Sequence, residues 1–267
     1  MVRTMAVLVV VALFFVVAPR WAQAEEYVSV DTPNGSQGFL FDAPEKPVAS
    51  LILFAGGHGW LQLDGTDIGW GRSNFLVRTR QMFVEMGFQV AVVDTPDYKD
   101  KINAVFRMSD RHWQDIKAVA EWLKARAAVP VWSVGTSMGT FSAANMAVLS
   151  GGEISGLILT SSITRSPRSW SIYDDYPKGV INMDLGAVKM PVLVMSHKDD
   201  GCDKTPASDA NNLAAAFAKA PKVEVKILSG GKEPQSDPCN AKSQHGFFGI
   251  EDQAIGAIAD FVKRATP

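Results

Sequence analysis

The stretch Val129-Pro130-Val131-Trp132-Ser133-Val134-Gly135-Thr136-Ser137-Met138-Gly139-Thr140-Phe141-Ser142-Ala143 decides the fold class. Val129 to Val134 is a short apolar run and reads as a buried strand. Ser137 to Leu149 reads as a helix. Between them Gly135-Thr136-Ser137-Met138-Gly139 has the spacing G-x-S-x-G. A serine at so tight a strand-to-helix turn has a strained backbone and projects its hydroxyl at the top of a sheet. The flanking glycines let neighbouring backbone pass without a Cβ clash. The helix N-terminus offers N–H groups to a developing oxyanion. A small-residue turn that only allows close helix–strand packing would use the same residues, so the strand before and the helix after carry the reading.

Outward from this turn the chain alternates strands and helices. Tyr27 to Asp31 and Gly38 to Asp42 flank Pro33-Asn34-Gly35-Ser36, and Asn-Gly is a hairpin turn signal. Val48 to Phe54 is a nearly all-apolar strand feeding Ala55-Gly56-Gly57-His58-Gly59. Phe75 to Met86 has helical periodicity and stops at Gly87. Val90 to Val93 is a strand. Ser109 can cap a helix with Ile116, Val119, Ala120 and Leu123 on its apolar face. Ile154 to Leu159 and Pro191 to Met195 are strands. Thr205-Pro206 reads as a cap followed by proline at the first helical position, with Leu213 and Phe217 on one face. Val223 to Leu228 is a strand, and Ile255, Ile258 and Val262 line a last helix. A hairpin followed by repeated β-α units implies an α/β domain with a mostly parallel central sheet and helices on both faces.

The 267 residues are 47% apolar and 20% charged, enough for one substantial core and unlike a disordered chain. A net charge of -2 gives no basic surface for nucleic acid. Met1 to Ala24 reads as a signal peptide: Arg3, an uncharged apolar run from Ala6 to Ala18, then Ala22-Gln23-Ala24 as a cleavage site. The alternative is an uncleaved anchor, but the run is shorter than the roughly 20 residues a spanning helix needs. The expected product is an exported chain, periplasmic or secreted, with residues 25–267 as one domain and no membrane association after cleavage. In an oxidising compartment Cys202 and Cys239 can pair; the alternative is two free buried thiols. Ser161 to Lys189 lacks clear periodicity and reads as a functional loop or small lid. No Walker loop, Rossmann fingerprint or HExxH motif is present in the sequence.

Gly135 to Gly139, the glycine loop Gly56 to Gly59 and a downstream acid and histidine resemble the α/β-hydrolase superfamily, from about Val48 to Val262. The resemblance implies a chain order of nucleophile, acid, histidine. Of the four histidines, His197 and His245 follow Ser137. His197 follows the strand where the superfamily places its acid, whereas His245 lies in the loop before the last helix, where the base belongs. By spacing from the strand Asp200 matches the acid position better than Asp199, with Asp203 a distant third. The resemblance thus implies Ser137 as nucleophile, His245 as base and Asp200 as its partner. It implies an oxyanion hole of the Met138 N–H and one from the loop after Phe54, by spacing Gly57, with His58 close behind. The loop departs from the lipase-type HGGG motif. A Cys202–Cys239 bond would tie the acid loop to the histidine loop.

The expectation is an exported serine hydrolase of carboxylic esters that takes a small-molecule acyl substrate and needs no cofactor or metal. The alternatives are a serine peptidase or thioesterase on the same residues, and a non-enzymatic binding protein on this fold. His112 reads as a structural or solvent-facing residue. His58 reads equally as pocket lining or as a side chain satisfied by local backbone.

Overall fold

The computed structural model describes residues 24–266, so the expected leader lies outside the described residues except for its last residue, Ala24. The chain opens with a hairpin, β1 (Glu26–Thr32) and β2 (Gly35–Asp42). Thr32 pairs with Gly35, so the turn is Pro33-Asn34 rather than Asn34-Gly35. Proline with its locked φ suits the first corner of a turn that needs no left-handed residue there.

There follow β3 (Ala49–Phe54), a small hairpin β4 (Leu63–Asp64) and β5 (Asp67–Ile68), then helices α1 (Phe75–Arg78) and α2 (Arg80–Glu85). Periodicity had implied one helix there. The Thr79 hydroxyl instead bonds back to the Phe75 carbonyl at 2.7 Å, and the helix breaks at that residue. Next come β6 (Phe88–Pro96), α3 (Ala104–Arg107), α4 (Asp110–Arg126), β7 (Val131–Thr136), α5 (Gly139–Leu149) and β8 (Gly156–Thr160). The chain ends with β9 (Val192–His197), α6 (Ala210–Ala215), β10 (Val223–Leu228) and α7 (Glu251–Ala265).

Eight strands form one sheet in the order β1-β2-β6-β3-β7-β8-β9-β10. β1 and β2 are antiparallel at one edge, and the rest run parallel. Strand alternation gives each face its own core. Ile52 and Phe54 pack with Ile116, Leu123 and Phe141 from α4 and α5. Leu51 and Leu53 pack on the other face with Phe75, Phe83, Ile255 and Phe261 from α1, α2 and α7. The segment 161–189 is folded onto the first of these cores. It contains two short 3-10 turns, and Val180, Leu185 and Val188 are buried.

This topology sends six loops to one end of the sheet, the carboxyl end of the parallel strands. Four of them follow β3, β7, β9 and β10 and carry the residues from Ala55, Ser137, Lys198 and Ser229 onward. In open α/β sheets that end is where ligands bind.

Candidate active site

Ser137 sits between β7 and α5 with φ of +53°, a left-handed conformation that costs a non-glycine residue about 1–3 kcal/mol. The elbow is held from both sides. The Ser137 N–H donates to the Thr160 carbonyl at 3.1 Å, and the Ser137 carbonyl accepts from the Thr140 N–H at 3.0 Å and the Thr140 hydroxyl at 2.5 Å. A Cβ on Gly135 would collide with the Gly139 backbone and with Ala143; one on Gly139 would collide with the Phe54 carbonyl. The two glycines therefore let the turn close against its own helix and against β3. α5 itself begins at Gly139, two residues later than the sequence implied, because Ser137 is held out of helical geometry.

His245 lies in a 3-10 turn, Gln244–Gly246, in the loop between β10 and α7. It is 5% exposed. Its Nδ1 is 3.0 Å from Asp200 Oδ2, and its carbonyl accepts from the Ser161 hydroxyl at 2.8 Å. The Asp200 carboxyl group is wholly buried. Its Oδ1 accepts from the Cys202 N–H at 2.9 Å, and Oδ2 accepts from the Thr205 hydroxyl at 2.8 Å. Thr205 Oγ1 also lies 3.0 Å from His245 Nδ1. Thr205 is thus not the helix cap its position before Pro206 suggested; its hydroxyl completes the Asp200–His245 pair.

Asp199 is exposed, and among the described residues its carboxylate has no hydrogen-bond partner. Asp203 pairs with Lys204 at 2.9 Å and is largely exposed. His197 is buried, with Nε2 2.9 Å from the Gly230 carbonyl and Nδ1 3.0 Å from the Asp199 N–H. It braces the loops after β9 and β10 and lies outside the cavities described below.

Ser137 and His245 line one cavity of about 380 Å³, together with Gly56, Gly57, Asn74 and Lys242. A second cavity of about 500 Å³ adjoins through Gly57 and is lined by Met138, His58, Ile102, Trp170 and Ile172. Gly57 has φ of +61°. Among the described residues the N–H groups of Gly57, His58 and Met138 have no hydrogen-bond acceptor, and neither has the Ser137 hydroxyl. The arrangement can do the following chemistry. A carboxylate accepting from imidazole Nδ1–H leaves Nε2 as the basic nitrogen, and free N–H groups beside a serine can receive a negative oxygen. His58 stacks on Trp70, with centroids 3.8 Å apart, and its Nδ1 accepts from the Trp60 N–H at 3.3 Å. Burial, Lys101 and Arg107 hold its pKa below the ordinary value.

Two devices pin the histidine loop. Cys202 is disulfide-bonded to Cys239. Arg78 donates to the carbonyls of Ala241 and Gly246 and pairs with Glu251 at 2.8 Å. No motif announced Thr205, Ser161 or Arg78. Each acts through tertiary contacts with residues distant in the chain.

No protein-family model matches the chain, and no curated protein matches it by sequence. Solved structures do. An esterase from Pyrococcus furiosus is similar over 91% of this chain and 93% of its own, at 14% identity and a TM-score of 0.63. A Xanthomonas campestris protein described as a serine hydrolase without a lid is similar over 94% and 99%, at 17% identity and a TM-score of 0.59. Dienelactone hydrolase from Anabaena variabilis is similar over 91% and 99%, at 13% identity and a TM-score of 0.60. The chain therefore shares the fold of these α/β hydrolases.

Proposed function

We propose that the protein is an exported serine hydrolase that cleaves carboxylic esters through an acyl-enzyme intermediate. One observation carries this reading: the strained Ser137 and the hydrogen-bonded Asp200–His245 pair meet at one cavity. The esterases among the similar structures agree with it. Residues 25–267 act as one domain, and the disulfide suits an oxidising compartment. Among the described residues no helix is long and apolar enough to cross a membrane.

In this reaction His245 Nε2 takes the Ser137 Oγ proton as Oγ attacks the ester carbonyl carbon. The N–H groups of Gly57 and Met138 hold the resulting oxyanion. Asp200 stabilises the imidazolium and keeps its proton on Nδ1. The intermediate collapses, the C–O bond to the alcohol breaks, and Nε2–H protonates the leaving oxygen. Water then attacks the acyl carbon with His245 again as base, and Ser137 is released. Because His245 must reach the leaving oxygen, the alcohol lies in the cavity His245 lines, and the acyl chain lies toward Trp170 and Ile172.

The test is hydrolysis of p-nitrophenyl butyrate beside aminoacyl-nitroanilides. Ester turnover that falls by about 10⁶-fold in Ser137→Ala supports the reading. Preferential cleavage of the anilide would make the protein a peptidase. Turnover unchanged in Ser137→Ala would remove the serine mechanism.

A further inference from the structure

Arg107, at the end of α3, is 1% exposed and stands outside the chemistry described above. Among the described residues no carboxylate lies within ion-pair distance of it. Burying a cation without a carboxylate is costly, so its remaining partners must hold it. Its Nη2 donates to the Ala55 carbonyl at 3.1 Å and to the Gly57 carbonyl at 3.2 Å. Its Nη1 donates to Ser142 Oγ on α5 at 2.8 Å. Ser142 Oγ in turn is 2.9 Å from His112 Nε2. Since arginine can only donate, Ser142 Oγ accepts from it and keeps its own hydrogen for a further partner. Gly59 is required here, because a Cβ on it would run into the guanidinium.

We propose that Arg107 is the positioning residue of the oxyanion loop: its guanidinium holds the carbonyls of Ala55 and Gly57 inward so that the loop's N–H groups face the carbonyl oxygen bound at Ser137. The inference rests on the hydrolase reading for its catalytic consequence and on geometry for the clamp. The Gly57 carbonyl and the His58 N–H share one planar peptide, so drawing the carbonyl toward Arg107 turns that N–H away from it. The peptide that carries the Gly57 N–H lies between the two clamped carbonyls, which fixes both its ends. Gly56 and Gly57 are the residues with the most backbone freedom to lose, so an external clamp matters most there. The cation also polarises the peptides it binds and strengthens their N–H groups as donors.

Arg107→Lys and Arg107→Met test this. A lysine ammonium is a point charge and cannot span two carbonyls and Ser142 as the planar fork does. Active sites are counted by titration with a fluorophosphonate. Expected is a loss of about 10²-fold in kcat per titrated site for Arg107→Met and roughly 10-fold for Arg107→Lys, with KM within about twofold. The inhibition constant of an alkyl boronic acid, whose serine adduct is tetrahedral, should weaken in parallel. A purely structural arginine would lower the number of titratable sites and leave kcat per site unchanged. Wild-type kcat and boronic-acid affinity in Arg107→Lys would overturn the proposal, whether or not Arg107→Met folds. Nitrogen-15 relaxation of the Gly56, Gly57 and His58 amides should show a rigid loop in the wild type and a mobile one in Arg107→Lys. That readout needs no turnover. A wild type without hydrolytic activity would sink the hydrolase reading, and the relaxation data would still decide the clamp.

Discussion

At the scale of single residues, neighbouring carboxylates are separated by what they touch. Asp200 is buried and accepts from Cys202, Thr205 and His245, whereas Asp199 faces solvent. Asp200→Asn is expected to lower kcat by about 10⁴-fold, because the amide stabilises the wrong imidazole tautomer. Asp199→Asn should stay within about twofold in the same steady-state assay. His112 offers a second residue-scale measurement. Burial and the charge of Arg107 push its pKa from 6.5 down to about 3. The unfolded chain therefore binds a proton that the folded one refuses between those pH values. Stability is fully present above about pH 6.5 and declines as pH falls, by up to about 1.4 kcal/mol per unit from this one group. In urea titrations from pH 7 to pH 4, His112→Gln should show a correspondingly shallower decline.

At the scale of elements, the site depends on loops that lack regular structure. The chain from Ser229 to Ile250 carries His245 and has one 3-10 turn as its regular element. The Cys202–Cys239 bond joins it to the loop that carries Asp200. Cys202→Ser with Cys239→Ser is expected to cost about 2–4 kcal/mol of stability. It should also lower kcat at temperatures where the variant remains folded, since the loops carrying Asp200 and His245 are no longer held together by that link. Calorimetry and kinetics on one preparation check both; an unchanged kcat in a destabilised variant would make the bond structural alone. The sequence was a good guide to elements wherever pattern is local. β3, β7, β8 and β9 are fully buried strands and β6 is buried except at Asp94, and their short apolar runs stand out between glycines, prolines and polar residues. It was a poorer guide where a hydroxyl has more than one acceptor within reach. The break at Thr79 and the diversion of Thr205 from cap to carboxylate partner both follow from one hydroxyl choosing an acceptor. No periodicity encodes that choice.

At the scale of the whole molecule, the parallel sheet places six loops at one rim, and this explains how much of the site was legible. Ser137, Asp200, His245 and Gly57 each follow a strand readable from its own residues, so strand order and a known chain order sufficed to nominate them. Arg107, Arg78 and Ser161 support the site from positions that become adjacent only once the sheet is assembled, and no spacing marks them. The same assembly sets two cavities on either side of Gly57. An acyl chain lying along Ile102, Trp170 and Ile172 gains about 0.8 kcal/mol per buried methylene, roughly fourfold in kcat/KM. Activity on p-nitrophenyl esters should therefore rise from acetate to hexanoate. Trp170→Ala should flatten that rise more than it lowers activity on the acetate.

The proposed hydrolysis requires Ser137 to be an activated nucleophile. It is tested most directly by intact-protein mass spectrometry after a fluorophosphonate, with the adduct mapped by proteolysis. Expected is one adduct per chain, on the peptide containing Ser137, and its disappearance in both Ser137→Ala and His245→Ala. An adduct on another residue, or equal labelling when His245 is replaced, would contradict it.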